Sequence, residues 1–263
     1  MTTVRVEEHP SPLILSLPHS GTMLPDGVRR RMTEAGRSLI DTDWHIDRLY
    51  AFALNLPATT VRAVFSRYVI DVNRDPADNP LYPGQATTGL VPLTTFDGVP
   101  LYEPGQEPAP GEIDERRRTY FAAYHQALAE QIERVKAAHG YALLYDCHSI
   151  RSRIPRLFDG ELPLLNLGTN DGRSCAPGLR DALRRVMAES ALAHVSDGRF
   201  KGGWITRHYG RPAVGVHAVQ MELAQRAYMD EAPPFAFDHE KAANLQPTLL
   251  RLLETMLAFG ANP

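Results

Sequence analysis

Cysteine is nearly absent: Cys147 and Cys175 are the only two in 263 residues. That excludes a disulfide framework and a cysteine-rich zinc site. No apolar run reaches the ~18–20 residues needed to cross a bilayer. The N-terminal stretch MTTVRVEEHPSPLILSLPHSG carries glutamates where a secretory leader would be basic. The expectation is a cytoplasmic chain with no membrane partner. Positive charge is not in excess either, with 28 Lys and Arg against 31 Asp and Glu, a formal net charge of −3. Without a basic stripe to neutralise phosphates, nucleic acid is not an expected partner. The glycine motifs of nucleotide-binding loops and the G-x-S-x-G elbow of serine hydrolases are also missing. Cys147 adjoins His148, but neighbours on a strand face opposite ways, which disfavours a Cys–His nucleophile pair.

The chain does have an ordinary globular balance, 43% hydrophobic and 22% charged, and ten histidines as its main metal or acid–base inventory. Strand and helix signals alternate without a convincing linker, so the expectation is one α/β domain spanning 1–263. Leu13–Leu17 reads as a buried strand ending at Pro18 and delivering His19. Asp41 or Thr42 opens a helix. TTVRAVF and RYVIDV read as β-rich stretches, and Asp75–Gly111 as a long irregular segment of the kind that is usually functional or mobile. A helix runs from about Ile113 to His139 and ends at Gly140. Tyr141–Tyr145 is a second buried strand, delivering Asp146, Cys147 and His148. Leu162–Leu167 looks like a third strand, Leu179–Ala191 a helix, and Gly215–Leu223 a strand with Val216, Ala218, Gln220 and Glu222 on one face. Lys241–Phe259 is an amphipathic helix expected to break near Pro247.

Ligand sites of open α/β sheets lie beyond the carboxyl ends of strands, where His19 and His148 fall. Asp146, two residues before His148, is placed to accept the second imidazole N–H and orient the ring. A catalytic zinc takes three protein ligands and leaves one position open. Asp43 is the leading third candidate, and Asp47 lies four residues on; both also fit helix-start charges facing solvent. Ser66–Arg74 carries Arg67, Asp71, Asn73 and Arg74, which suits either bidentate carboxylate recognition or a surface ion pair. Lys201–Gly210 reads as a glycine-flanked loop in which Arg207 and Tyr209 could hold an acidic ligand, or as a plain turn. Ser149, Ser152 and Arg153 fit a cap as well as a site. Glu222 in an apolar strand needs a partner or a use, and suits a general base or a buried ion pair.

The segments LPHSG, DTDWHIDRLY, SRYVIDVNR, NPLYPGQATTGL, DCHSIRS, GRFKGGWITRHYG and VHAVQMELAQRAYM, in this order, resemble the N-formylglutamate amidohydrolase family over about Pro18 to Pro234. The resemblance implies hydrolysis of N-formyl-L-glutamate to L-glutamate and formate in histidine degradation. An alternative is deacylation of another N-acyl acidic amino acid, acetylated or carbamoylated, on the same fold. The implied fold is α/β, a mixed central sheet flanked by helices, similar to zinc carboxypeptidases and aspartoacylases. The implied cofactor is zinc or another divalent transition metal, held by His19, Asp43 and His148. The broader group has a Glu three residues after its first His, and this chain has Thr22 there, so Asp43 and Asp47 both stay open. By the same resemblance Arg67, the Asn73–Arg74 pair and Glu222 match site residues of the group; the expected mechanism makes Glu222 the general base and Arg67 the oxyanion donor, while Asn73, Arg74 and Arg207, with Tyr209, bind the carboxylates of a small acidic N-formyl amino acid. Oligomeric state is not fixed by the sequence.

Overall fold

The computed structural model describes residues 2–80, 84 and 87–260, with residues 54, 55 and 260 described by backbone alone. Residues 81–83 and 85–86 of the expected irregular segment lie outside the described residues. Among the described residues seven strands form one sheet: β1 (Val4–Glu7), β2 (Leu13–Leu17), β3 (Thr59–Ala63), β4 (Ala142–Ile150), β5 (Leu165–Gly168), β6 (His194–Ser196) and β7 (Val216–Ala224). Their order is β1-β3-β2-β4-β7-β5-β6. β3, β2, β4 and β7 run parallel, β1 and β5 pair antiparallel with β3 and β7, and β6 runs parallel to β5. The sheet is therefore mixed, and the α/β class expected from the sequence holds.

β2, β4 and β7 are buried along their whole length. One face is mainly apolar: Leu13, Leu15, Leu143, Tyr145, Cys147, Val219 and Met221 pack under the helices Pro177–Glu189 and His239–Gly260. The opposite face changes character halfway. It begins with Ile14, Ala142, Leu144, Val216 and Ala218 against the helix Ala122–His139. It then turns polar with Ser16, Asp146, His148, Gln220 and Glu222, all buried. Two-residue periodicity puts each set on one side, and the parallel register sets His148 beside Glu222. Burial of five polar side chains on one face needs partners or a ligand.

Four local expectations are corrected. RYVIDV is not a strand: Arg67–Asn73 is a run of turns, with Val69 N–H donating to Ser66 O and Asp71 N–H to Leu90 O. Its alternation comes from burial on every side, with Tyr68, Val69, Ile70 and Asp71 at most 3% exposed. The helix expected at Asp41 starts at Ile46, after a left-handed His45. Lys201–Gly210 is not all loop, because Trp204–Tyr209 is helical. The C-terminal helix runs through Pro247 without interruption. A helix-interior proline costs about 3 kcal/mol. Burial of Leu245, Leu249, Leu252, Leu253 and Met256 on the core face outweighs it, at roughly 1.5–3 kcal/mol per large apolar side chain. Among the described residues no helix is long and apolar enough to cross a membrane.

Candidate active site

His19 lies just past the end of β2, after Pro18, and Asp43 is tied to it by backbone, its N–H donating to His19 O at 3.1 Å. His148 lies late in β4. The ligand-capable atoms of His19, Asp43 and His148 all lie within 4.8 Å of one another, and the three residues are buried. Each imidazole is fixed from behind by a buried carboxylate. His19 Nε2 donates to Asp71 Oδ1 at 2.7 Å, and His148 Nε2 donates to Asp146 Oδ2 at 2.9 Å. Asp146 is held in turn by Ser16, whose Oγ donates to Oδ1 at 2.6 Å. Both Nδ1 atoms are thereby turned to the shared centre. Asp47 lies elsewhere, one-third exposed and paired with Arg62 at 2.5 Å. Of the two aspartates, the fold brings Asp43 to the histidines.

The donor set fits a metal ion. His19 Nδ1 and Asp43 Oδ1 are buried and have no hydrogen-bond partner. His148 Nδ1 lies 3.1 Å from Asp43 Oδ2, and with Nε2–H committed to Asp146 that contact needs a cation between ring and carboxylate. In the bare chain a proton serves: burial alone would lower the His148 pKa, but Asp146 and Asp43 push it well above the ordinary value. His19 goes the other way, lowered by burial and by the neighbouring Arg67 against the pull of Asp71 and Asp43. Two nitrogens and one carboxylate leave a coordination position open, as catalytic zinc sites do.

Above these groups a cleft is lined by His19, Arg67, Asn73, Arg74, His148, Arg199, Gln220 and Glu222, with Phe96, Ile150, Leu157 and Phe200 as apolar wall. Arg67 Nη2 donates to Asp71 Oδ2 at 2.6 Å, and its guanidinium lies 4.8 Å from the Phe96 ring centroid. Asp71 resists the upward push of burial because His19, Arg67 and Arg74 hold it well below the usual carboxylate range. Glu222 behaves oppositely: burial pushes its pKa up to about 8, with the His148 charge opposing and Asp43 reinforcing. Gln220 Nε2 donates to Glu222 Oε2 at 3.0 Å.

Of three residues expected to bind ligand carboxylates, the described cleft lining holds Asn73 and not Tyr209 or Arg207. Tyr209 lies on a different depression, with Lys136, His208 and Arg211, and its hydroxyl is 2.9 Å from His125 Nδ1. Arg207 is not among the cleft's described lining, and its Nε donates to Gly202 O. Both follow from the short helix, which carries these side chains round its axis instead of presenting them from a loop. Asn73 does line the cleft, and its Oδ1 accepts from Ile205 N–H at 2.8 Å. The glycines of the segment serve this contact, since a Cβ on Gly203 would collide with the Asn73 amide. Gly203→Ala is expected to lower stability by about 1–3 kcal/mol through overpacking. Thermal melting checks this, and an unchanged Tm contradicts it. Arg199 and Gln220 were not singled out from the sequence as ligand contacts. Gln220 was visible through its alternation with Glu222, whereas Arg199 had no signal beyond its place in the GRFKGG segment.

A buried His–Asp–His group under an arginine-lined cleft defines a class: α/β proteins able to hold a metal ion beside an anionic ligand. Residues 11–229 match the N-formylglutamate amidohydrolase family, and the chain belongs to that family. It is 52% identical over 250 residues to a Pseudomonas aeruginosa protein named N-formylglutamate deformylase, covering 95% of this chain and 94% of that one. A Pseudomonas putida protein of the same name is 51% identical over 251 residues, with the same coverage. The crystal structure of an N-formylglutamate amidohydrolase from Ralstonia eutropha JMP134 is similar with a TM-score of 0.79 at 28% identity, covering 99% of this chain and 98% of that one.

Proposed function

We propose that this chain hydrolyses the formamide bond of N-formyl-L-glutamate, releasing L-glutamate and formate, with zinc or another divalent transition metal held by His19, Asp43 and His148. The observation that carries the metal site is the pair of partnerless buried atoms, His19 Nδ1 and Asp43 Oδ1, grouped with His148 under a cleft lined by arginines and Glu222. The names of the half-identical Pseudomonas relatives support the substrate.

When bound, such an ion polarises a carbonyl and acidifies a water. Glu222 takes a proton from the attacking water onto its carboxylate and delivers it to the departing amine nitrogen. Its place beside His148 in the β4–β7 register keeps it over the ligand group. Arg67 donates to the oxygen that becomes negative as the carbonyl carbon turns tetrahedral. Asp71 and Phe96 hold it in place before the reaction, so little reorganisation opposes the step. Arg74, steadied by donation from Nε to Thr88 O at 3.0 Å, binds a substrate carboxylate, and Asn73 holds the 203–205 backbone.

The test is formate release by the purified chain with its metal content measured. Turnover of N-formyl-L-glutamate well above that of the N-acetyl and N-carbamoyl analogues is expected. Absent formate from a metal-loaded chain, or equal turnover of the acetyl analogue, overturns the reading.

A further inference from the structure

Resting on that function, we propose that Arg199 binds the side-chain carboxylate of the substrate and sets the preference for an acidic side chain. A dianionic substrate needs two cationic stations besides the group that meets the reacting carbonyl. Arg67 is bound to Asp71 over the metal-ligating side of the cleft, and Arg74 stands beside the same aspartate, its Nε 3.8 Å from Asp71 Oδ2. Those two cations share one side. Arg199 is the further arginine in the lining, and it stands with Leu157 and Phe200 on the apolar wall.

Its position is built. Arg199 Nε donates to Leu157 O at 2.8 Å, and its guanidinium carbon lies 5.4 Å from the Phe200 ring centroid. The backbone around it is stapled on both sides. Before it, the left-handed Asp197 donates its N–H to Leu167 O at 2.7 Å and accepts from Thr169 N–H at 2.7 Å. After it, Lys201 O accepts from Asn170 N–H at 2.6 Å, and Gly203 N–H donates to Gln220 Oε1 at 2.7 Å. Gln220 also binds Glu222, so the strap that carries Arg199 is registered against the proposed base. The apolar wall supplies the surface that the two methylenes of a glutamyl side chain need, and Arg199 stands on that wall. The general advantage of arginine there is a planar fork matched to a carboxylate.

The experiment compares kcat/KM for N-formyl-L-glutamate and for N-formyl-L-glutamine, which has the same shape without the charge. The wild type is expected to favour glutamate by about 100-fold, the scale of a desolvated charge pair. In Arg199→Met that ratio is expected to fall to about one, mainly through KM for N-formyl-L-glutamate, while Arg199→Lys recovers part of it. General damage to the fold lowers both substrates together and leaves the ratio intact, so an unchanged ratio in Arg199→Met overturns the inference. Should Arg199→Met not fold, a wild type that treats the two substrates alike overturns it equally. A wild type that hydrolyses neither substrate fails at the proposed function itself, whereas good turnover with an unmoved ratio removes Arg199 alone.

Discussion

Glu222→Gln is expected to lower kcat by about 10²–10⁴, the range general acid–base catalysis supplies. Metal content should stay unchanged and KM within about threefold, because the amide keeps the shape that the cleft sees. The replacement is close to isosteric, and the amide oxygen can still accept the Gln220 Nε2 donation that now reaches Oε2. What is lost is a proton acceptor. A kcat within tenfold of wild type would remove Glu222 as the base. The same variant makes a stability claim with a definite sign. Burial raises the Glu222 pKa from 4.5 to about 8, so the folded chain binds a proton that the unfolded chain releases in between. Stability of the metal-free wild type therefore falls as pH rises through that window, and the glutamine variant escapes the penalty. Its Tm advantage should widen from about pH 5 to about pH 8. A constant difference would mean that Glu222 is not buried as a neutral acid.

The strand ends were legible because buried strands announce themselves. Leu13–Leu17 and Tyr141–Tyr145 are short, mostly apolar runs, and the histidines after them could be placed at the carboxyl edge without any knowledge of the rest. Glu222 was legible for the same reason, as a charge in a strand with Val219, Met221 and Leu223 on its other face. The turn at Arg67–Asn73 was misread because period-two alternation reports burial, not extension. Here the backbone is satisfied by Ser66 and Leu90 carbonyls instead of a neighbouring strand. Arg207 stands out in the sequence because the segment around it is dense in donors, whereas Arg199 does not. The direction in which a six-residue helix turns those donors is set by tertiary packing, with Ile205 and Thr206 fully buried. Asp43 could not be separated from Asp47 on the sequence, since both flank one helix start. The separation comes from three-dimensional facts: the Asp43 N–H to His19 O bond pulls one carboxylate inward, and Arg62 pairs with the other at the surface.

Asp43→Ala is expected to cost more than any outer contact: at least about 100-fold in zinc affinity, beyond the 10–100-fold typical of groups that merely support a ligand. Turnover at limiting zinc should fall by about 10³, because a missing metal removes carbonyl polarisation and water activation together. The variant should still fold. Asp43 is buried and its Oδ1 has no hydrogen-bond partner, so its removal deletes a group whose compensation comes mainly from His148 and Arg67. His148 should lose part of its raised pKa in the metal-free variant, since Asp43 is one of the two carboxylates that hold its proton. Asp47→Ala is the matched control: it breaks a one-third exposed pair with Arg62, worth at most about 1 kcal/mol, and should leave zinc stoichiometry and turnover near wild type. Equilibrium dialysis with zinc and a competing chelator reads both variants directly, without relying on activity. Full zinc retention by Asp43→Ala, or its loss in Asp47→Ala, would show that the acidic ligand is not the one the His19 backbone draws in, and the geometry of the whole centre would have to be redrawn around the two histidines.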